Sequence, residues 1–225
     1  MMKSTSDHFN KLISIIIPTY NHGRFLDRAL KSIINQTYKN WEVIIIDNHS
    51  TDNTTKIVES FKDPKISYFK IHNNGIIAKS RNAGISAANG EWIAFLDSDD
   101  WWANNKLEKC SSFLGEKVDL VYHDLKIIYE KQKLLGKKSI KSRQLSEPIL
   151  IDLLVGGNII ANSSVIVRKD LIEKIGGISE KEELIAAEDY YTWLRIAQLT
   201  NKFKYISNTI GFYLIHEKSN SKKDM

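Results

Sequence analysis

Three of the four residues Asp97-Ser98-Asp99-Asp100 carry carboxylates. Charges so crowded repel one another and are tolerated where a cation or a cationic partner neutralises them. Hard divalent ions such as Mg2+ and Mn2+ take oxygen ligands, a few from protein and the rest from substrate phosphates and water. The alternative is a solvated turn that caps the next helix. A second acidic pair, Glu188-Asp189, opens a stretch of helical periodicity. It suits the positive end of a helix dipole, and equally a general base. His216 follows the last apolar run and gains meaning as a metal ligand only beside an acid such as Asp99. Arg81 lies on an Ala-rich segment after Asn73-Asn74-Gly75, either on a solvated face or turned towards a phosphate.

The elements that must position these groups alternate along the first 120 residues. Apolar, β-branched runs predict strands over 12–17, 42–47, 65–71, 91–96 and 118–122. Helical spacing predicts helices over 24–35, 51–61 with Thr51 as N-cap, 76–88 closed by Gly90, and 104–114. Strand and helix in alternation, joined by short turns, imply an α/β fold on a largely parallel sheet. Ligands of such sheets sit outside the carboxyl ends of the strands. The residues there are Pro18-Thr19-Tyr20-Asn21, Asp47-Asn48-His49-Ser50, His72-Asn73-Asn74 and Asp97-Ser98-Asp99-Asp100, all polar rims. The second half is less regular. Residues 126–148 are basic and aperiodic, which predicts an exposed excursion. Short helices are expected over 152–155 and 169–175, a longer one over 187–199, strands over 164–168, 205–206 and 211–215, and a frayed tail after residue 220.

The chain has 225 residues, 42% of them apolar and 26% charged, an ordinary globular balance for one domain over residues 1–225. A net charge of +5 allows an anionic partner and selects none. A single cysteine, Cys110, excludes an internal disulfide and fits a reducing cytosol; its mid-helix place predicts packing. No apolar run reaches the ~20 residues of a membrane-spanning helix, and residues 1–10 lack the apolar core of a secretory leader. No Gly-x-Gly-x-x-Gly, Walker-type loop or Cys/His zinc spacing is present, which disfavours dinucleotide-binding, P-loop and zinc-site readings.

Taken together, the motifs resemble glycosyltransferase family 2. They are Ile13-Ser14-Ile15-Ile16-Ile17-Pro18-Thr19-Tyr20-Asn21, Gln36-Thr37-Tyr38, Trp41 to Asp47, Ser50-Thr51-Asp52, Arg81-Asn82-Ala83-Gly84-Ile85, Gly90 to Asp100, and Glu188-Asp189-Tyr190 with Trp193-Leu194-Arg195. The resemblance is dense over 12–122 and thinner over 162–220. It implies a GT-A fold with a mostly parallel central sheet flanked by helices, Rossmann-like in its N-terminal half. Residues 12–122 would bind the nucleotide sugar and residues 123–220 the acceptor. Thr19 and Tyr20 would border the nucleobase, with Pro18 and Asn21 in the same loop. Asp47 and Asn48 would meet base and ribose, Arg81 the ribose or diphosphate, and Asp97 the ribose. Ser98, Trp101 and Glu188 would complete the substrate-binding set. Asp99 would hold Mn2+ or Mg2+ against the diphosphate, His216 would be a second metal contact, and Asp189 the catalytic base.

The activity so implied is inverting transfer of a sugar from a nucleotide-diphosphate sugar to a hydroxyl of a cell-surface glycan or lipid-linked saccharide. Two departures stand out. Asn48-His49 replaces the acid and glycine that many relatives carry, so the usual uracil contact is no longer charge-assisted and UDP is the favoured rather than the required donor. Leu214 stands where relatives often have Arg. The competing readings are a non-catalytic nucleotide-sugar-binding module and a sugar nucleotidyltransferase. The latter would carry a Gly- and Lys/Arg-rich loop where Pro18 to Arg24 stand. Nothing beyond charge supports nucleic acid as a partner. The basic residues 131–143 suit a solvated loop or an anionic membrane face, so a cytoplasmic location with peripheral contact at the inner face of the cytoplasmic membrane is the expectation.

Overall fold

The computed structural model describes residues 11–131 and 138–217. The expectations for a leader, for the tail after residue 220, and for the middle of the basic excursion lie outside them.

Four strands form the first half of the sheet: β1 (Ile13–Thr19), β2 (Trp41–Asp47), β3 (Ile66–Lys70) and β4 (Trp92–Phe95). They pair in parallel in the order β3-β2-β1-β4. Helices α1 (Gly23–Ile34), α2 (Thr54–Ser60) and α3 (Ile77–Ala87) make the crossovers. A parallel sheet covered on both faces needs strands that are apolar without alternation. β1 is buried throughout: Ile13, Ile15 and Ile17 pack with Leu26 and Leu30 of α1, while Ile16 joins the opposite cluster with Ile85 of α3.

Gly84 sets how α3 lies on the sheet. A Cβ there would stand 2.5 Å from Ile16 Cγ2, so only glycine lets the helix backbone settle on β1. Gly90 differs from its expected role. The helix ends at an extended Ala88, and Gly90 instead serves close approach, because its Cβ would lie 2.6 Å from Leu12 O. Thr51 is not an N-cap: α2 starts at Thr54, whose N–H donates to the Asp52 side chain at 2.9 Å.

The second half adds β5 (Trp101–Trp102), α4 (Lys106–Ser111), β6 (Leu120–Tyr129), β7 (Ser139–Ile140), α5 (Ile149–Gly156), β8 (Ile166–Arg168), α6 (Lys169–Lys174), α7 (Glu188–Ala197) and β9 (Phe203–Ile215). The sheet continues as β4-β8-β6-β9-β5, with β8 antiparallel to both β4 and β6, and β6 parallel to β9. The basic excursion is therefore partly sheet. Residues 126–129 extend β6, and β7 pairs back onto it. The two expected strands near the C-terminal end are one, β9, whose register with β6 slips around Asp124. That slip skips the polar Ser207 and Asn208, and Thr209 resumes the pairing opposite Asp124, so the polar triplet that breaks the apolar pattern in sequence lies inside one strand. Cys110 is fully buried and free, as packing requires.

Candidate active site

A cavity of about 480 Å3 opens at the carboxyl ends of β1, β2 and β4. Of the expected site residues, Pro18, Thr19, Tyr20, Asn21, Asn48, Asp97, Ser98, Asp99 and His216 line it. The loops after three parallel strands, and the end of β9, thus converge on one place. Thr19 is buried and its Oγ1 has no hydrogen-bond partner among the described residues. Such a group costs free energy until something in the cavity bonds to it. Tyr20 projects its ring, 55% exposed, at the mouth. Asn48 accepts the Asn73 N–H at Oδ1 over 3.0 Å, so its amide N–H groups are the ones left for a ligand.

His216 Nε2 lies 3.0 Å from Asp99 Oδ2, across 117 residues of sequence. Burial raises the Asp99 carboxyl above the usual carboxylate range, and nearby Asp97 adds to the rise. Burial raises Asp100 well above that range too; its Oδ1 accepts the Leu214 N–H at 3.0 Å, which ties the acidic loop to β9. Among the described residues no three His, Cys, Asp or Glu side chains form a closed metal cage. The Asp99–His216 pair nonetheless fits a divalent ion. Two ligands bound at ~2.1 Å in adjacent octahedral positions stand about 3 Å apart, and such ions fill their remaining positions from substrate and water. One carboxylate oxygen and one imidazole nitrogen form a donor set that suits Mn2+ at least as well as Mg2+.

Sequence reasoning missed His22. It lines the cavity, bonds Ser98 Oγ through Nδ1 at 2.8 Å, and meets the His216 ring edge-on with centroids 5.7 Å apart. Burial lowers its basicity, with Asp99 opposing. Its position directly after the Pro18-to-Asn21 loop was the available signal. Asn73, Gly75, Ile77 and Tyr213 also line the cavity.

Five expected residues, Asp47, Trp101, Arg81, Glu188 and Asp189, lie outside the cavity lining. Asp47 is fully buried, with Oδ1 accepting from Ser50 N–H and Oγ–H and Oδ2 accepting from Tyr68 Oη–H at 2.5 Å. Its carboxylate shapes the loop that carries Asn48. Trp101 sits under the Arg28 guanidinium at 3.5 Å and stacks on Phe212, flanking the acidic loop from outside the cavity. Arg81 is 3% exposed; its Nη2 donates to Asp97 Oδ1 at 2.8 Å and its Nη1 to Glu188 Oε1 at 2.6 Å. Glu188 thereby engages Arg81 through Oε1, while its buried Oε2 has no hydrogen-bond partner among the described residues.

Asp189 opens α7 beside this ion-paired group. Its Oδ1 accepts the Tyr190 N–H at 2.6 Å, and Asn158 Nδ2 approaches at 3.4 Å. Burial pushes its carboxyl up to about 6, with Arg81 opposing and Glu188 and Asp97 adding to the rise. A base with a pKa near the working pH is well matched to accept a proton.

A sequence model described as glycosyl transferase family 2 matches residues 14–176. An uncharacterised glycosyltransferase of Nostoc sp. is 32% identical over 215 residues, which are 92% of this chain and 66% of that protein. A UDP-Glc:alpha-D-GlcNAc-diphosphoundecaprenol beta-1,3-glucosyltransferase of Escherichia coli is 31% identical over 191 residues, 84% of this chain and 71% of that protein. The crystal structure of S. aureus TarS in complex with UDP superposes with a TM-score of 0.72 at 25% identity, covering 90% of this chain and 60% of that one. The chain thus spans about two thirds of the Nostoc relative's length and less of the TarS chain.

Proposed function

The chain belongs to glycosyl transferase family 2 and has its GT-A fold, and we propose that it moves a sugar from a nucleotide-diphosphate sugar, with UDP as the favoured nucleotide, to a hydroxyl of a cell-surface glycan or lipid-linked saccharide. One observation carries this reading. The cavity brings Asp97, Asp99 and His216 together at the carboxyl edge of the sheet, and Arg81 links Asp97 to Glu188, the neighbour of the half-buried Asp189.

The nucleobase would enter between Tyr20 and the Thr19–Asn48 wall, where an unpaired hydroxyl and free amide N–H groups await partners. Asp99 and His216 would hold Mn2+ or Mg2+. A divalent ion there supplies Lewis-acid stabilisation of the leaving diphosphate. Asp189 takes the proton of the acceptor hydroxyl as its oxygen attacks the anomeric carbon. The bond from that carbon to the phosphate oxygen breaks, and its electron pair leaves with the nucleoside diphosphate. One base and one in-line displacement invert the anomeric centre.

The Escherichia coli relative named above acts, by its name, on a diphosphoundecaprenol-linked sugar. A lipid-linked acceptor for this chain fits a surface beside Asp189. On α5 the aliphatic side chains Ile151, Leu154 and Val155 are 53%, 56% and 85% exposed. Tyr190 Oη, next to Asp189, donates to Leu153 O on the same helix at 2.7 Å. Lys141 and Arg143 lead into this helix on the described part of the basic stretch. The peripheral partner proposed for this face is the anionic inner leaflet of the cytoplasmic membrane, and the site is placed on the cytoplasmic side. No helix among the described residues is long and apolar enough to cross a membrane.

The test is to incubate the protein with UDP-sugars, Mn2+ and a lipid-diphosphate-linked monosaccharide and to read the product by mass and NMR. A β-linked disaccharide from an α-linked donor is expected. An α-linked product would overturn the single-displacement reading.

A further inference from the structure

Arg81 has an environment that no substrate contact explains. It sits on α3 one turn before Gly84, on the face that Gly84 presses against β1. Its guanidinium is therefore carried beneath the cavity rather than into it. Each terminal nitrogen holds a different carboxylate: Asp97 at the end of β4, 16 residues away, and Glu188 at the start of α7, 107 residues away. Side-chain exposure is 4% for Arg81 and 9% for Glu188, so this is a buried, bridging cation. The adjacent Asn82 binds both the N–H and the C=O of Ile178, in the segment leading to α7. Two consecutive residues of α3 thus hold the acceptor-side helix against the donor-side loop.

We propose that Arg81 is a positioning residue, a strut that joins the donor-side carboxylate Asp97 to the first turn of α7 and so places Asp189 for proton transfer. The inference rests on Asp189 being the base in the reading above. It differs from a diphosphate contact for Arg81, which would require the guanidinium to be open to ligand. Arginine suits the task because its planar fork bonds two carboxylates at once, while a lysine ammonium is a single point charge.

The strut also acts electrically. The charged groups facing Asp189 are Glu188 on its own helix, Arg81 from α3 and Asp97 from the β4 loop, with Asn158 as a neutral neighbour. Arg81 is the cation among these groups, and it favours the ionised base. Deleting it leaves two like charges and burial, which all push the Asp189 carboxyl upward.

The experiment compares wild type, Arg81→Gln, Arg81→Lys and the neutral double variant Arg81→Gln/Glu188→Gln. The double variant keeps the bridge's shape without buried unpaired charge, should the single one fail to fold. Carboxyl-carbon NMR, assigned with Asp189→Asn, reads the Asp189 titration. Calorimetry reads UDP binding with Mn2+. In Arg81→Gln the Asp189 midpoint is expected to rise by at least one pH unit, with the UDP dissociation constant within about threefold of wild type. Arg81→Lys should leave the midpoint closer to wild type than Arg81→Gln does. In the double variant the midpoint should rise less, because the like charge of Glu188 leaves with the cation. An unmoved midpoint together with a tenfold or greater loss of UDP affinity in Arg81→Gln would overturn the strut and put Arg81 on the phosphates. Failure of the wild type to bind any nucleoside diphosphate would instead sink the transferase reading, and the titration would still report on the strut.

Discussion

The half proposed to bind the donor, residues 12–122, and the half proposed to bind the acceptor are built by different rules. In the donor half, most groups that line the cavity lie within a few residues of the end of a parallel strand. Pro18 to Asn21 follow β1, Asn48 follows β2, and Asp97 to Asp99 follow β4. The strands are buried on both faces and fixed by parallel register, so their ends are held in a line. In the acceptor half the strands are mixed in direction, and the proposed base arrives on a helix N-terminus. Its setting comes from Arg81 of the other half and from Asn158 after α5. The lesson is that the proposed donor cavity is encoded locally and the setting of the proposed base is encoded at long range.

That contrast can be broken by substitution. The largest effect is expected for Asp189→Asn: transfer should fall by about 10^2–10^4-fold, while UDP binding with Mn2+ stays near wild type, read by calorimetry on the same samples. Equal loss of both would merge the two halves into one functional unit.

Gly84→Val strikes the joint between them. Its side chain would collide with Ile16, and overpacking of this kind costs about 1–3 kcal/mol. Denaturant melts should show that loss, and both UDP binding and transfer should suffer as α3 lifts from β1. A stable variant with full binding would mean that α3 need not lie flat.

The pairs Ile151→Ser/Leu154→Ser and Leu154→Ser/Val155→Ser probe the acceptor half alone. Flotation with vesicles containing anionic lipid should show weaker binding, with folding stability and UDP affinity unchanged. Wild-type protein that ignores such vesicles at low salt would remove the membrane from the acceptor side.

The smallest effect is on pH dependence. Asp189 has a folded-state pKa of about 6, above the ~3.9 of an unfolded aspartate. The folded state therefore holds the extra proton between those values, and stability falls as pH rises through that window. Asp189→Asn should flatten this slope and melt higher than wild type above pH 6, while its transfer rate falls. In wild type, transfer should fall off below about pH 6 as the base protonates. A rate independent of pH from 5 to 8 would argue against Asp189 as the base.

The sequence revealed the donor half better because period-two and period-3.6 patterns report strands and their ends directly. Asp99 and His216 were legible as a pair only through the family resemblance, since 117 residues separate them. Asp47 read as a ligand contact because its position after β2 is right. Its partner Tyr68 comes from the neighbouring strand, which no local pattern announces. Arg81 likewise read as a phosphate contact, since its two carboxylates lie far away in sequence. β9 was divided in two because a register slip hides a polar triplet inside one strand. In each case the missing information was a contact between residues distant in sequence.

The central claim is that Asp99 and His216 bind a nucleoside diphosphate through a divalent ion, and thermal melts test it most directly. Wild type and Asp99→Ala would be melted with UDP, GDP, CDP and TDP, each with and without Mn2+. Ligand at 100 times its Kd adds about 2.7 kcal/mol to the folded state. The expected result is stabilisation of wild type by one diphosphate, UDP first, that requires Mn2+ and disappears in Asp99→Ala. Stabilisation that is indifferent to Mn2+, or that survives in Asp99→Ala, would contradict it.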